Sequence, residues 1–368
     1  MSTRILALVG DCYGAGGGIA RYNQDLFEAL AGDAVTIVVL PRNGPTGGRA
    51  VPACIEQLPA VPGRLLYSLV ALWTAWRRRP FDVVFCGHAF MAPLAWAIAR
   101  MLGARYWMQA HGIDIWSHRR DTVRRAIEAA DMVTTVSRAT RRSLLGWTNL
   151  APDRARVLPD TVGDEFRPGP APGGLAERLK LGPGPFLLTV ARLAADERYK
   201  GHELIFAALP ALRAKFPNLV HIVAGDGDDR ARLEARALEL TGDSTAVRFV
   251  GFVAAEDLPG LYRLADLYVM PSTQEGFGIV YLEAAACGLR VIGALGGGSA
   301  DAIPDRRVGT LIDPADRKAL VEAIVCQLGE GRADSAAVEP YRRVHFAATA
   351  RSLLARLMAR PWRMTVKA

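Results

Sequence analysis

The stretch Leu267-Tyr268-Val269-Met270-Pro271-Ser272-Thr273-Gln274-Glu275-Gly276-Phe277-Gly278-Ile279-Val280-Tyr281-Leu282-Glu283-Ala284 decides the fold class. A short apolar run suited to a buried strand passes through a loop with two glycines into a helical pattern, and a further apolar run follows at 290–293. Strand, crossover helix, strand is the signature of a parallel sheet. Outward from it the same alternation continues, with strands expected at 186–191, 220–224, 248–250, 267–270, 290–293 and 310–312. The first half shows it too, at 5–9, 35–40, 82–86, 105–109 and 132–136.

Between the halves lies 163–174, with three prolines and four glycines, which reads as a hinge. At 368 residues the chain is about twice a typical domain. The expectation is therefore α/β with two Rossmann-like, doubly wound domains, 1–166 and 175–340, whose sheets present their carboxyl ends to a shared cleft. The tail 341–368 is helical in pattern, and its return to the first domain is expected by analogy.

Half of the residues are hydrophobic and 22% are charged, the balance of a folded globular protein. The longest apolar runs, 65–76 and 89–99, are short of the roughly 20 residues that span a bilayer. The N-terminus leads from a first strand straight into a glycine loop, which reads as cytoplasmic. Cys12, Cys54, Cys86, Cys287 and Cys326 are scattered and odd in number, so they are read as reduced, with no zinc set.

The net charge of +8 is uneven: from Arg64 to Arg142 thirteen arginines face Asp82, Asp114, Asp121, Glu128 and Asp131. Such a face attracts nucleic acid, anionic lipid or a diphosphate-bearing acceptor, and charge alone does not choose. No aromatic-basic nucleic-acid signature accompanies it, so nucleic acid is not expected as a partner. Within it, 64–79 sets tryptophans beside an arginine cluster, which suits both a membrane interface and a crossover helix with a solvated basic end. The surrounding charge favours the membrane.

The chemistry concentrates in two places. Glu275 lies in a loop and Glu283 about one turn into the following helix, while Gly276 and Gly278 admit close backbone approach. The amides of Phe277, Gly278, Ile279 and Val280 then form an N-terminal phosphate site. Upstream, Arg192 sits at a strand end and Lys200 before the next helix, placing two cations toward a diphosphate. Arg198 reads as surface charge.

These two glutamates, the intervening Gly-Phe-Gly and the following Glu-Ala-Ala-Ala-Cys-Gly-Leu-Arg-Val-Ile resemble the signature of family 4 retaining glycosyltransferases, and almost the whole chain fits. The resemblance implies the GT-B fold. It implies that Glu283 holds the donor ribose, that Glu275 contacts hydroxyls of the transferred sugar, and that Arg192 and Lys200 stabilise the departing diphosphate. Gly17 and Gly18, in a glycine turn that misses the G-x-G-x-x-G spacing, match the turn beside the donor phosphate and sugar. His111, directly after a strand, matches a histidine near the donor sugar, where it hydrogen-bonds a hydroxyl. Ser137 also falls in a matching segment, and a helix cap explains it equally well.

Two segments depart. Asp160-Thr161 stands where relatives have Asn-Gly, and Gly298-Ser299-Ala300-Asp301 where they have Gly-x-Pro-Glu. The paired glutamates and basic pair are untouched. With no Asp-x-Asp motif, no metal and no cofactor are expected, and the implied reaction is retaining, same-face attack assisted by the donor phosphate. The resulting expectation is transfer of a hexose, mannose from GDP-mannose by preference, to a lipid-linked or polysaccharide-precursor acceptor, with peripheral contact to an anionic membrane. The rivals are a UDP-glucose-dependent glucosyltransferase, a nucleotide-sugar epimerase and an inactive nucleotide-binding partner subunit.

Overall fold

The structure is a computed structural model that describes residues 2–44, 49–116 and 120–359. The chain forms two compact units, Met1–Thr161 with Arg343–Ala368, and Val162–Arg342. In the first, β1 (Thr3–Val9), β2 (Val35–Pro41), β3 (Ile55–Gln57), β4 (Val83–Cys86), β5 (Arg105–Ala110), β6 (Met132–Thr135) and β7 (Ala155–Val157) make one sheet in the order β3-β2-β1-β4-β5-β6-β7. Every pairing is parallel. The central strands are buried along their length because helices cover both faces, which is why they read as continuous apolar runs rather than alternating ones.

The second unit repeats the plan. β8 (Phe186–Val190), β9 (Val220–Ala224), β10 (Val247–Gly251), β11 (Leu267–Val269), β12 (Arg290–Ala294) and β13 (Gly309–Ile312) run in the order β10-β9-β8-β11-β12-β13, again all parallel. Leu187, Phe206, Leu209, Val223, Val269 and Ile292 sit at the centre of its core. Each sheet reverses its strand order once, between β1 and β4 and between β8 and β11, and ligands of open α/β sheets bind at the carboxyl ends beside such a reversal. The glycine loop after β1, Arg192 after β8 and the Glu275 loop after β11 all lie at these points.

Two edge strands, β3 and β7, had no clear signal in the sequence. Each is three residues long, and Ile55-Glu56-Gln57 and Ala155-Arg156-Val157 are too short and polar to show a period. The 163–174 stretch, read from composition as a hinge between domains, lies inside the second unit. Phe166 is buried with its ring 6.0 Å from that of Tyr262, and Arg263 Nε donates to the Arg167 carbonyl at 2.9 Å. Proline and glycine report the absence of regular structure, not of packing. Val162 pairs with Arg342, so the second unit's first and last residues lie side by side.

The helix Arg343–Ala359 belongs to the first unit, where it packs on the helix Gly18–Leu30: Arg351 Nε donates to the Ala29 carbonyl at 2.8 Å, and Phe346 meets Tyr22 edge-on at 5.8 Å. The helix Arg64–Arg77 buries only Tyr67, Ala71, Thr74 and Ala75, a narrow stripe at helical spacing. Its Leu65, Leu69, Trp73 and Trp76 are exposed, with Trp73 61% accessible.

Candidate active site

In the second unit, the backbone between β11 and the helix Ile279–Ala286 brings Glu275 to Lys200: Lys200 Nζ donates to Glu275 Oε1 at 2.6 Å, and both side chains are largely shielded. Lys200 closes a 3-10 turn, Ala195–Lys200, that is tied to the same loop by the Thr273 amide donating to the Tyr199 carbonyl at 2.9 Å. The chain then turns at Gly201, whose φ of 82° is a glycine conformation and whose Cβ, were there one, would lie 2.8 Å from the Pro271 carbonyl. Two residues 75 apart in sequence thus share one ion pair.

Arg192 is mostly exposed and bound to the Glu197 carboxylate, which raises its pKa above the usual arginine value. Both cations of the sequence motif therefore already have carboxylate partners. Gly278, at φ 90°, caps the helix Ile279–Ala286, and among the described residues no side chain makes a cap hydrogen bond to its N-terminal turn. Phe277 points away into the core, 5.8 Å from the Tyr341 ring.

Glu283 is placed differently from Glu275. It is 2% exposed, and the Tyr262 hydroxyl donates to its Oε2 at 2.9 Å. Burial, with this carboxylate beside it, pushes the Tyr262 pKa up and keeps the phenol a donor. The sequence pattern placed Glu283 on the helix but had no signal for Tyr262.

Gly298, noticed in the sequence only as the start of the departing segment 298–301, supports the site directly. Gly298 N donates to the Glu275 carbonyl at 2.7 Å, and a Cβ on Gly298 would lie 2.0 Å from the Gly276 carbonyl oxygen. Only a glycine lets the two loops touch this closely.

Beneath these loops lies a histidine pair. Thr189 Oγ1 donates to the Val269 carbonyl at 2.5 Å, so the His221 Nε2 at 2.9 Å from that hydroxyl must be the proton donor, which fixes the tautomer. His202, whose ring stacks on Phe206, has among the described residues no hydrogen-bond partner for either ring nitrogen. Burial lowers the pKa to about 4 for His202, about 3 for His221 and, in the first unit, about 4 for His111, against an ordinary 6.5. Unfolded histidines bind protons below about 6.5 while these folded ones do not, so stability is lost as pH falls from about 6.5 toward 4. At pH 5 the loss approaches about 2 kcal/mol per histidine. Replacing His202→Phe is expected to make the unfolding midpoint fall less between pH 7 and pH 5; an unchanged slope would mean that His202 takes up its proton over the same pH range in the fold as in the unfolded chain.

In the first unit His111 follows β5. Its backbone N donates to Asp114 Oδ1 at 2.9 Å and its Nε2 lies 3.1 Å from the Gly87 carbonyl, which can only accept. Nδ1 is therefore the lone-pair nitrogen, and the ring is neutral near pH 7. Asp114 also accepts from Ala89 N at 3.3 Å, clamping the loops after β4 and β5 together. The glycine turn is fixed by side chains that the sequence did not single out: Asn23 Nδ2 donates to the Asp11 carbonyl and Gln24 Nε2 to that of Cys12, both at 2.9 Å. Gly17 has φ 100° and precedes the first residue of the helix, Gly18. Ser137 Oγ accepts from Thr140 N at 3.0 Å and is a helix cap.

Residues 16–166 match the family described as Glycosyltransferase Family 4, and residues 176–330 match the one described as Glycosyl transferases group 1. A GDP-mannose-dependent alpha-(1-6)-phosphatidylinositol monomannoside mannosyltransferase of Mycolicibacterium smegmatis is 33% identical over 69% of this chain and 68% of its own. The chain belongs to glycosyltransferase family 4. The Mycobacterium tuberculosis H37Rv protein of the same description is 30% identical over 66% of each chain. In three dimensions the glycosyltransferase resembles a sucrose-phosphate synthase of Thermosynechococcus elongatus, with a TM-score of 0.79, 23% identity and coverage of 97% of this chain and 99% of that one. The fold is GT-B.

Proposed function

We propose that this glycosyltransferase moves mannose from GDP-mannose, with retention and without a metal ion, to a lipid-linked acceptor at a membrane surface. The observation that carries the donor site is the Lys200–Glu275 pair at the carboxyl end of the second sheet, beside an N-terminal helix turn that no side chain of the described residues caps. The mannose donor and phosphoinositide type of acceptor are supported by the printed functions of the two mannosyltransferase relatives.

In this reading the diphosphate takes Lys200, Arg192 and the amides opening Ile279–Ala286, which together balance its charge. Glu275 exchanges Lys200 for sugar hydroxyls, and Glu283, oriented by Tyr262, accepts from the ribose. In the first unit, the family resemblance assigns His111, whose Nδ1 carries the lone pair, to a hydroxyl of the sugar, and the Gly17–Gly18 turn to the phosphate. The bond from the anomeric carbon to the phosphate oxygen breaks, the acceptor oxygen bonds to that carbon on the same face, and the acceptor proton passes to the departing phosphate. No described helix is long and apolar enough to cross a membrane. Peripheral contact is assigned to the helix Arg64–Arg77, whose exposed leucines and tryptophans adjoin Arg77 to Arg79, with Arg79 stacked 5.3 Å over Trp76.

GDP in the presence of a chelator is expected to raise the unfolding midpoint by several degrees, because a ligand at about 100 times its Kd stabilises by about 2.7 kcal/mol. UDP and ADP should do less. A larger shift with UDP would move the donor to a uridine sugar, and a shift only with added magnesium would overturn metal independence. The anomeric coupling of the product, read by NMR, tests retention.

A further inference from the structure

We propose that Glu197 is a positioning residue for the departing diphosphate: it stays bound to Arg192 when the donor arrives and aims that guanidinium at the phosphate, an assignment that rests on the donor reading above. Arg192 stands two residues past β8, at the carboxyl end of an inner strand. Its side chain is 69% exposed, so packing does not fix it. A long exposed arginine loses rotamer freedom when it binds a ligand, which costs affinity unless something has ordered it beforehand. Among the described residues its one hydrogen-bonded side-chain partner is the Glu197 carboxylate, which takes Nη2.

The two partners are unequal, and the inequality says which holds the other. The Glu197 side chain is only 13% exposed and belongs to the 3-10 turn Ala195–Lys200, which neighbouring loops pin at both ends. At the entry Leu193 N donates to the Asp226 carbonyl at 3.0 Å and Asp229 N to the Leu193 carbonyl at 2.9 Å. The Ala195 amide adds a bond to Asp228 Oδ1 at 2.9 Å, so the loop after β9 grips this end of the turn. At the exit the Thr273 amide on the Tyr199 carbonyl ties the turn to the loop that carries Glu275. Backbone contacts thus fix the carboxylate, and the carboxylate fixes the guanidinium.

Glu197 is not shared with another cation. The nearby acids Asp229 and Glu203 are held by Arg232 at 2.6 and 2.5 Å, and Arg198 lies 3.8 Å from Asp229. Among the described residues Arg192 is the one cation paired with Glu197. A guanidinium carries five N–H donors in a rigid plane, so giving Nη2 to a carboxylate leaves Nε and Nη1 to offer phosphate oxygens. Charge alone would cast Glu197 as a competitor that repels the diphosphate. Its setting argues otherwise: a competitor must swing out into solvent, whereas this carboxylate is shielded and sits on a turn pinned at both ends.

Titration calorimetry on the full chain with GDP and with GMP tests this, the ratio of the two affinities reporting on the terminal phosphate. The wild-type protein is expected to prefer GDP, and Arg192→Ala to lose about tenfold of that preference, as removal of a charge-assisted contact does. Glu197→Gln should lose about threefold to tenfold, the cost of ordering one long side chain at the moment of binding. GMP should bind each variant as it binds the parent, which also shows that the variants are folded. In the double variant Arg192→Ala, Glu197→Gln the preference should equal that of Arg192→Ala, since Glu197 acts only through the guanidinium. A further loss in the double variant, an equal fall in GMP and GDP binding, or tighter GDP binding by Glu197→Gln each overturns the positioning role. So does a wild-type preference in Glu197→Gln where Arg192→Ala has lost it. A wild-type protein without preference for GDP, or an Arg192→Ala variant that keeps it, sinks the donor reading itself and the role of Glu197 with it.

Discussion

Lys200→Ala is expected to lower kcat/KM for glycosyl transfer by two to three orders of magnitude and to destabilise the fold as well. The kinetic loss follows from removing a preorganised cation where the nucleotide leaves, a term worth about 3 to 4 kcal/mol in comparable sites. The stability loss follows from burial: Glu275 is 8% exposed and its Oε1 faces Lys200 Nζ at 2.6 Å, so the variant strands a shielded carboxylate. Breaking such a pair from one side costs about 3 kcal/mol or more. The two effects separate in the double variant Lys200→Met, Glu275→Gln, which removes both charges. Its unfolding midpoint should return toward that of the parent while transfer stays lost. Recovery of transfer along with stability would mean that the pair is structural only.

Gly298→Ala is expected to cost about 3 kcal/mol of stability and most of the nucleotide-dependent stabilisation. The new Cβ would lie 2.0 Å from the Gly276 carbonyl oxygen and 2.6 Å from Phe277 Cα, and neither backbone atom can swing aside as a flexible side chain does. The loop carrying Glu275 must therefore move, and the hydrogen bond from Gly298 N to the Glu275 carbonyl goes with it. Gly329→Ala is the control. Nothing lies within 4 Å of its added Cβ and it ends the helix Arg317–Gly329, so it should be neutral or stabilising by up to about 1 kcal/mol. If Gly298→Ala binds GDP like the parent, the loop contact does not position the donor.

Much of the framework was legible along the chain because its signals are local. Strands buried on both faces read as apolar runs at 5–9 or 220–224, and helices between them carry their own period. Turns announce themselves where glycine conformations are needed, as at Gly17 and Gly278. Short edge strands escaped because three residues carry no period, and the 163–174 stretch misled because its composition cannot say whether Phe166 is buried.

Sequence by itself determined the order of strands and helices, hence two parallel α/β units, and it pointed to glutamates and cations of the right chemistry for a nucleotide-sugar. Only the tertiary structure decided which of these groups meet: that Lys200 reaches Glu275 and Arg192 reaches Glu197, and that Tyr262 turns Glu283 inward. Period and turn propensity act over a few residues, whereas contacts such as Lys200 with Glu275 or Tyr262 with Glu283 join positions tens of residues apart whose separation along the chain says nothing about their distance in space.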